Sequence, residues 1–584
     1  MSANRGEIRP DAYVFLRLPN ETLKLVQIKL NSIIDAGKIG SFPASSLIGR
    51  PYYYTYEFLE KQSGESYSRL RIVSPAELNA EAGLDDADTI DDSTDADTTG
   101  ASNGLPEGHD LTVTDAKTVS KDNRMTIDHA GRQVLTQADI EELKKSTDGK
   151  EIIEKILANH TGLDEKTAFS KAKYMLRKHK KYLKRFTVLP MDLSHLIDHL
   201  IDKEASRIME IREEALGLIT AWSNAHYSGL DGLSSEQALT ATDRGKWLVV
   251  DDTGGLVVAA LAERMDILHV PEREREIPIS ETTNVTDAAA NGNTAESGEA
   301  AAGQEISDTP VKVHRDFPIP ASTNTITLIH PAVQPNVSLL KYFGYDTSNP
   351  GSGTEELEHP LHNHLKPLSW LQLLHPEDDP TYQEPEIISE SLLSTWKSGK
   401  RGTYFKKRRR WERCRAIVDS TRQEGTFDGL VIATHLELSA VFRHALPLIR
   451  GGGTIVVYSP TAEPLVRLMD FYSKERRAAY IAHLIKGEIP DAQDFPLDPR
   501  LLLGPHLQTS RVRNWQCLPG RTHPLMTSRG GAEGFVFTAR RVIPLEGGVE
   551  ARGNFSTKKR KVVGSDVEAV VIATTPEPGE PMVT

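Results

Sequence analysis

The sequence predicts an α/β protein: a small N-terminal β-barrel followed by an open parallel sheet covered by helices on both faces. Three observations lead there. Residues 8–73 hold short runs rich in aromatic and branched residues (AYVFLRL, LKLVQIKL, YYYTYEFL), separated by Pro, Gly and Asn. From Trp247 onward, strand-like apolar runs alternate with helical ones, the pattern of a doubly wound sheet. The stretch WLVVDDTGGLVVAALAERM, Trp247 to Met265, reads as a buried strand, a tight turn and a helix, as nucleotide-binding sheets usually begin.

In chain order, the barrel of residues 8–73 gives way to an aspartate-rich linker, 74–121, including LDDADTIDDSTDADTTG from Leu84. A helical, basic segment follows over 122–190. Thr136 is the expected N-cap of LTQADIEELKK, with Asp139 in capping-box position, and KEIIEKILANH forms a second helix. The sheet domain spans 191–545. Its expected strands are WLVV, TITLIHP, GLVIAT, GGGTIVVYSP, NWQCLP and GFVFTARRV; SLLKYFGY and a basic stretch around Trp411 are expected helices. Two polar stretches, about 270–322 and 346–395, read as disordered insertions between elements. A disordered tail, 546–584, contains KKRK (Lys558–Lys561), readable as a nuclear import signal or as a solvated basic cluster.

At 584 residues, two or three domains are expected. The net charge of −13 argues against a nucleic-acid binder only on average, because the acids are concentrated in the polar segments. Two cysteines, Cys414 and Cys517, make no disulfide framework, which points to an intracellular protein. The N-terminus lacks a secretory pattern, and no apolar run approaches the roughly 18 residues of a membrane span. The histidines of HPLHNH, from His359, have no matching Cys or carboxylate set, so no metal is expected.

The turn after the first strand departs from a working cofactor loop. Enzymes that use S-adenosylmethionine place acid-x-Gly-x-Gly-x-Gly there, because glycines let the backbone approach the ligand. Asp251 takes the acidic place and Gly255 keeps one glycine, but Thr253 and Val257 occupy the outer glycine places. The second strand ends in His330 and Pro331 instead of a carboxylate that would accept from ribose hydroxyls. The fourth ends in Ala433, Thr434 and His435, without the Asp or Asn followed by Pro that nitrogen methylators use. Three departures in one sheet read as a Rossmann-like S-adenosylmethionine-methyltransferase fold with a degenerate cofactor site. A sheet that never served methyl transfer is the alternative.

Two basic stretches stand out. KAKYMLRKHKKYLKR, Lys171 to Arg185, contains no acid. Drawn as a helix, Lys171, Tyr174, Lys178, Lys181 and Arg185 share one face, and Lys173, Arg177, Lys180 and Lys184 form a neighbouring stripe. Leu176, Leu183 and Phe186 lie on a third, docking side. Such lysine density suits a phosphate backbone, with Tyr174 or Tyr182 to stack on a base; a solvated surface helix balanced by the acidic linker is the alternative. KKRRRWERCR, Lys406 to Arg415, suits phosphate contact near the mouth of the sheet, a charged helix start, or an import signal.

These residues carry a family resemblance. NWQCLPGRTHPLMTSRGGAEGFVFTARRV (from Asn514) and DNRMTIDHAGRQVLTQADIEELKK (from Asp122) resemble the non-catalytic subunits of the tRNA (adenine-58-N1)-methyltransferase. KTAFSKAKYMLRKHKKY, GLVIATHLE…GGGTIVVYSP and LIGRPYYYTYEF (from Leu47) agree with them in order and spacing. The resemblance implies a barrel-plus-Rossmann-like plan and a heterotetramer of two copies each with a related catalytic subunit. That partner would bind S-adenosylmethionine and methylate N1 of the T-loop adenine in tRNA. This chain would have no catalytic residue and no cofactor of its own, would work in the nucleus, and would supply tRNA binding. The role falls on Lys171, Lys173, Arg177, Lys178, Lys180, Lys181 and Lys184, and also on Arg408, Arg409 and Arg410. Arg521 and His523, in PGRTHP, face either RNA or a partner. An active methyltransferase with a divergent loop and a pure interaction scaffold are the rival readings.

Overall fold

In the computed structural model the described residues are 6–59, 67–81, 133–146, 149–162, 168–227, 245–270, 320–346, 359–512, 515–518, 521–524 and 533–544. Residues 82–121 of the aspartate-rich linker, nearly all of the 270–322 stretch and the KKRK cluster lie outside them, whereas the start of that linker is described and holds a helix, Pro75–Glu81. Sixteen strands are present among the described residues: β1 (Tyr13–Arg17), β2 (Leu23–Gln27), β3 (Ile33–Asp35), β4 (Ser41–Pro43), β5 (Thr55–Phe58), β6 (Leu70–Ile72), β7 (Arg185–Pro190), β8 (Lys246–Asp251), β9 (Thr325–His330), β10 (Leu365–Ser369), β11 (Phe427–Ala433), β12 (Ile449–Ser459), β13 (Leu502–Gln508), β14 (Trp515–Leu518), β15 (Arg521–Pro524) and β16 (Phe535–Arg541). The helices begin with α1 (Pro75–Glu81), α2 (Gln137–Ser146), α3 (Gly149–Ala158), α4 (Ala168–Tyr182), α5 (Leu193–Lys203), α6 (Glu213–Ser223) and α7 (Leu256–Arg264). They continue with α8 (Leu361–His364), α9 (Trp370–Leu374), α10 (Glu390–Thr395), α11 (Ser398–Thr421), α12 (Leu438–Ala445), α13 (Glu463–Phe471) and α14 (Lys474–Ile485).

The expected N-terminal barrel is an open sheet. Its antiparallel order is β2-β1-β7-β5-β6, so the edge strands β2 and β6 do not meet, and β3–β4 forms a separate ribbon. The centre is β7, far along the chain, so the sheet is not built from residues 8–73 alone. Closure has no driving force because both faces are already covered. Val14, Leu16, Phe186 and Val188 pack with Ile34 and Phe42 from the ribbon on one side. Phe15 and Leu189, pointing the other way by strand alternation, pack with Leu193, Leu196 and Ile197 of α5.

The second sheet has the order β10-β9-β8-β11-β12-β16-β13. Its first five strands are parallel, while β16 pairs antiparallel with both β12 and β13. Alternation splits it between two cores. Trp247 and Val249 face α5, α6 and α7, whereas Leu248 and Val250 face α11, α12 and α13. The strand order reverses between β8 and β11, so the topological switch point lies at their carboxyl ends.

Three sequence expectations fail here for physical reasons. Residues 359–395 of the stretch 346–395 are not a disordered insertion: they are described, and β10 within them is an edge strand of the sheet. Leu361, Leu365, Leu368 and Leu373 are buried, but the flanking His, Pro, Glu and Asp dilute them in any composition window. SLLKYFGY forms only a short 3-10 turn, Leu340–Phe343. The expected strands omit β13, which carries Gly504 and Pro505; proline is tolerated there because β13 is an edge strand with a register shift between Leu503 and His506. The capping box at Thr136 does form: Asp139 N–H donates to the Thr136 hydroxyl (3.3 Å), and Thr136 N–H donates to the Asp139 carboxylate (2.9 Å).

Candidate nucleic-acid interface

The carboxyl edge of the second sheet is where a ligand would be expected, and its polar groups are turned inward. Asp251 ends β8, almost fully buried. Its carboxylate accepts from the Thr253 N–H (2.7 Å), the Thr253 hydroxyl and the Val258 N–H (3.2 Å). The Thr253 hydroxyl in turn accepts from the Val257 N–H (3.3 Å), so acid and threonine together cap α7. Burial pushes the Asp251 pKa up to about 6, against the opposing pull of these hydrogen bonds. Gly254 and Gly255 both have positive φ, +74° and +92°, which the turn requires.

Val257 does not fill the ligand space; its side chain is buried in the core beneath. The glycines are covered instead by the turn after β9. Leu339 N–H donates to the Gly254 carbonyl (3.0 Å), and a Cβ on Gly255 would stand 3.1 Å from the Val337 Cα. At the end of β9, His330 is buried; burial depresses its pKa, and its Nδ1 has no hydrogen-bond partner. At the end of β11, the Ala433 carbonyl accepts from the Asp252 N–H (2.8 Å). The Asp252 carboxylate accepts from the Thr434 hydroxyl and the His435 N–H (2.9 Å). Asp252 therefore stitches the two strands at the switch point. Sequence reading passed over it; the second of two adjacent aspartates at a strand end was the available signal. Of the HPLHNH histidines, His359 is buried and bonded to the Phe343 carbonyl, with its pKa lowered by burial to about 4. Among the described residues no group of three His, Cys, Asp or Glu is placed to hold a metal, and no helix is long and apolar enough to cross a membrane.

The first basic stretch is a helix only to Tyr182. Tyr182 and Leu183 dock it on Ile140, Ile152, Ile153 and Ile156 of α2 and α3. Lys171, Arg177, Lys180, Lys181 and Lys184 are exposed, while Lys173 and Lys178 are half-buried. Lys178 Nζ stands 4.9 Å above the Tyr174 ring. Burial, then repulsion from Lys181 and Arg177, lowers the Lys178 pKa, the sign of a surface where cations crowd. Lys180 pairs with Glu21 of the N-terminal sheet. Tyr182 is buried and cannot stack on a base, while Tyr174 is half-buried with its ring edge-on to His160 at 5.1 Å.

Arg185 and Phe186 leave the shared helical faces expected of them, because both belong to β7. Arg185, itself buried, is the hub of a partly buried ion cluster. It pairs with Glu57 (3.0 Å), Glu77 (3.2 Å) and Glu81. Arg71 pairs with Glu57 and with Glu77 (2.9 Å), and Lys150 pairs with Glu77. The cluster ties α1 and α3 to the strands and so fixes the platform on which α4 lies.

The second basic stretch lies in α11. Arg408 is engaged by Glu412 (3.3 Å) and Glu384 (3.8 Å), whereas Arg409 and Arg410 are exposed. The structure does not bring these residues into contact with α4. Arg521 lies in β15, opposite Leu518 of β14, and His523 opposite Gln516.

Residues 7–397 match the Gcd10p family. Three relatives are each described as the non-catalytic subunit of tRNA (adenine(58)-N(1))-methyltransferase. The protein of Aspergillus fumigatus is 44% identical, covering 96% of this chain and 97% of its own. That of Aspergillus oryzae is 45% identical, covering 97% of both chains. That of Schizosaccharomyces pombe is 24% identical, covering 97% of this chain and 99% of its own. Among solved structures, the tRNA (m1A58) methyltransferase of Aquifex aeolicus is 8% identical with a TM-score of 0.34, covering 92% of this chain and all of that one.

Proposed function

Since the chain belongs to the Gcd10p family, we propose that it is the RNA-binding, non-catalytic subunit of the complex that methylates N1 of adenine 58 in the T-loop of tRNA. The observation that carries this reading is the state of the sheet's carboxyl edge. The first acid is spent on capping a helix, the second strand presents a buried histidine, and Asp252 joins the strands across the switch point. S-adenosylmethionine is then held by the related catalytic subunit, in a heterotetramer of two copies each, and this chain has no cofactor of its own. Its Lys171, Lys173, Arg177, Lys178, Lys181 and Lys184 offer tRNA a cationic face on a fixed platform, with Lys180 released from Glu21 as phosphate replaces it. The T-loop adenine is tucked into the tRNA elbow, so reaching it means opening the elbow at a cost in stacking. A second subunit's cations offset that cost by holding the displaced arms. The complex works in the nucleus, with KKRK as the import signal.

Reconstitution on unmodified tRNA tests this. This chain alone, and the catalytic chain alone, should leave N1-methyladenine at background, and the two together should produce it. Methylation by this chain without a partner would contradict the proposal.

A further inference from the structure

A second run of positive charge lies at the start of α11. Residues 397–410 contain eight Lys and Arg and no acid, as many as Lys171–Arg185. The parallel pairing of β10, β9, β8 and β11 makes the connecting helix α11 run back across the sheet, entering from the carboxyl side. Its 24 residues span about 36 Å, whereas the seven of β11 span about 23 Å. All its buried side chains, Trp411, Ile417, Val418 and Thr421, lie in the second half. The first half therefore extends past the sheet on the carboxyl side and is wrapped in solvent. Only Arg408 there has carboxylate partners; among the described residues none is within ion-pair distance of Lys397, Lys400, Arg401, Lys406, Lys407 or Arg409. The free end is nonetheless held in shape. Lys400 Nζ sits 3.9 Å from the centre of the Trp396 ring, Trp396 packs edge-on against Tyr404, and Tyr404 supports Phe405 at 5.4 Å. Phe405 is 41% exposed amid the cations.

A surface that only needed charge would not expose a buttressed aromatic ring in its middle. Cations that track a phosphate backbone, interleaved with a ring that takes a base face, are the chemistry of RNA contact. We infer that the first half of α11 is a second RNA-contacting surface, separate from α4, that binds phosphates along its cations and stacks one unpaired base on Phe405. It rests on the RNA-binding reading above and adds a site to it.

The test measures binding of an unmodified tRNA transcript to the full-length chain in complex with its catalytic partner, as a function of salt. The substituted side chains are exposed, so the buried contacts of Trp411, Ile417 and Val418 stay in place, and circular dichroism of each variant checks that α11 is kept. K400E/R401E/K406E should weaken binding about tenfold or more and reduce the log–log salt slope by about three. F405A should weaken binding roughly tenfold while leaving the slope unchanged. If K400E/R401E/K406E binds like the unsubstituted complex while K178E/K181E/K184E loses affinity, this surface is overturned and the RNA-binding reading stands. If both triple variants bind normally, that reading falls and takes this surface with it. Normal RNA affinity combined with loss from the nucleus would make the stretch an import signal and also overturn the inference.

Discussion

Replacing Lys178, Lys181 and Lys184 by Glu should lower tRNA affinity by roughly two orders of magnitude near 0.1 M salt and cut the salt slope by about three. Lys181 and Lys184 are exposed, and the charge of Lys178 is disfavoured first by burial and then by Lys181 and Arg177. A phosphate backbone offers all three a counter-charge. The substitutions leave Tyr182 and Leu183 docked on α2 and α3, so the melting temperature should hardly move. Filter binding or anisotropy across a salt series checks both halves; a weaker affinity with an unchanged slope would mean these lysines act through shape and not through phosphate.

The largest effect on stability should come from Arg185→Met, about 3 kcal/mol, because it takes from Glu81 its ion-pair partner and removes one partner each from Glu57 and Glu77, which keep Arg71. Strand β7 is the centre of the N-terminal sheet, so its amides should lose hydrogen-exchange protection while those of β8 and β11 keep theirs. tRNA binding should weaken as well, since α4 leads directly into β7. The same cluster predicts acid sensitivity. Hydrogen bonds from Arg71 and Lys150 hold the Glu77 pKa down at about 2, against an ordinary value of 4.5. A depressed carboxylate contributes fully above its unfolded value, so this stability is present above about pH 4.5 and is lost as pH falls toward about 2. Denaturant titrations at pH 7, 4.5 and 3 should show the N-terminal sheet weakening first.

These two regions also show what a sequence discloses. The strand, turn and helix at 247–265 were legible because their signals are local: an apolar run, two aspartates, two glycines, then an apolar helix. The Thr136–Asp139 box was legible for the same reason. Arg185 was misread because its partners stand 104 to 128 residues away, and a charge run carries no record of them. The barrel was misread because closure depends on what covers a sheet's faces, which strand patterns do not encode. The partners of Asp252 and the packing of the Val337–Leu340 turn were not legible, because each acts at a junction of elements distant in the chain. In α4 the exposure of Lys171, Lys180 and Lys181 follows from their spacing, while the docked Tyr182 looks the same as Tyr174 in sequence because the helices below it are distant in the chain.

The central claim is that this chain keeps a cofactor-type sheet whose ligand edge has closed on itself. Calorimetric titration of the isolated full-length chain with S-adenosylmethionine tests it most directly, with the same titration on the complex as a positive control. The isolated chain should give no saturable heat and the complex micromolar binding. Saturable micromolar binding by the isolated chain, abolished by Gly255→Val, would contradict the account.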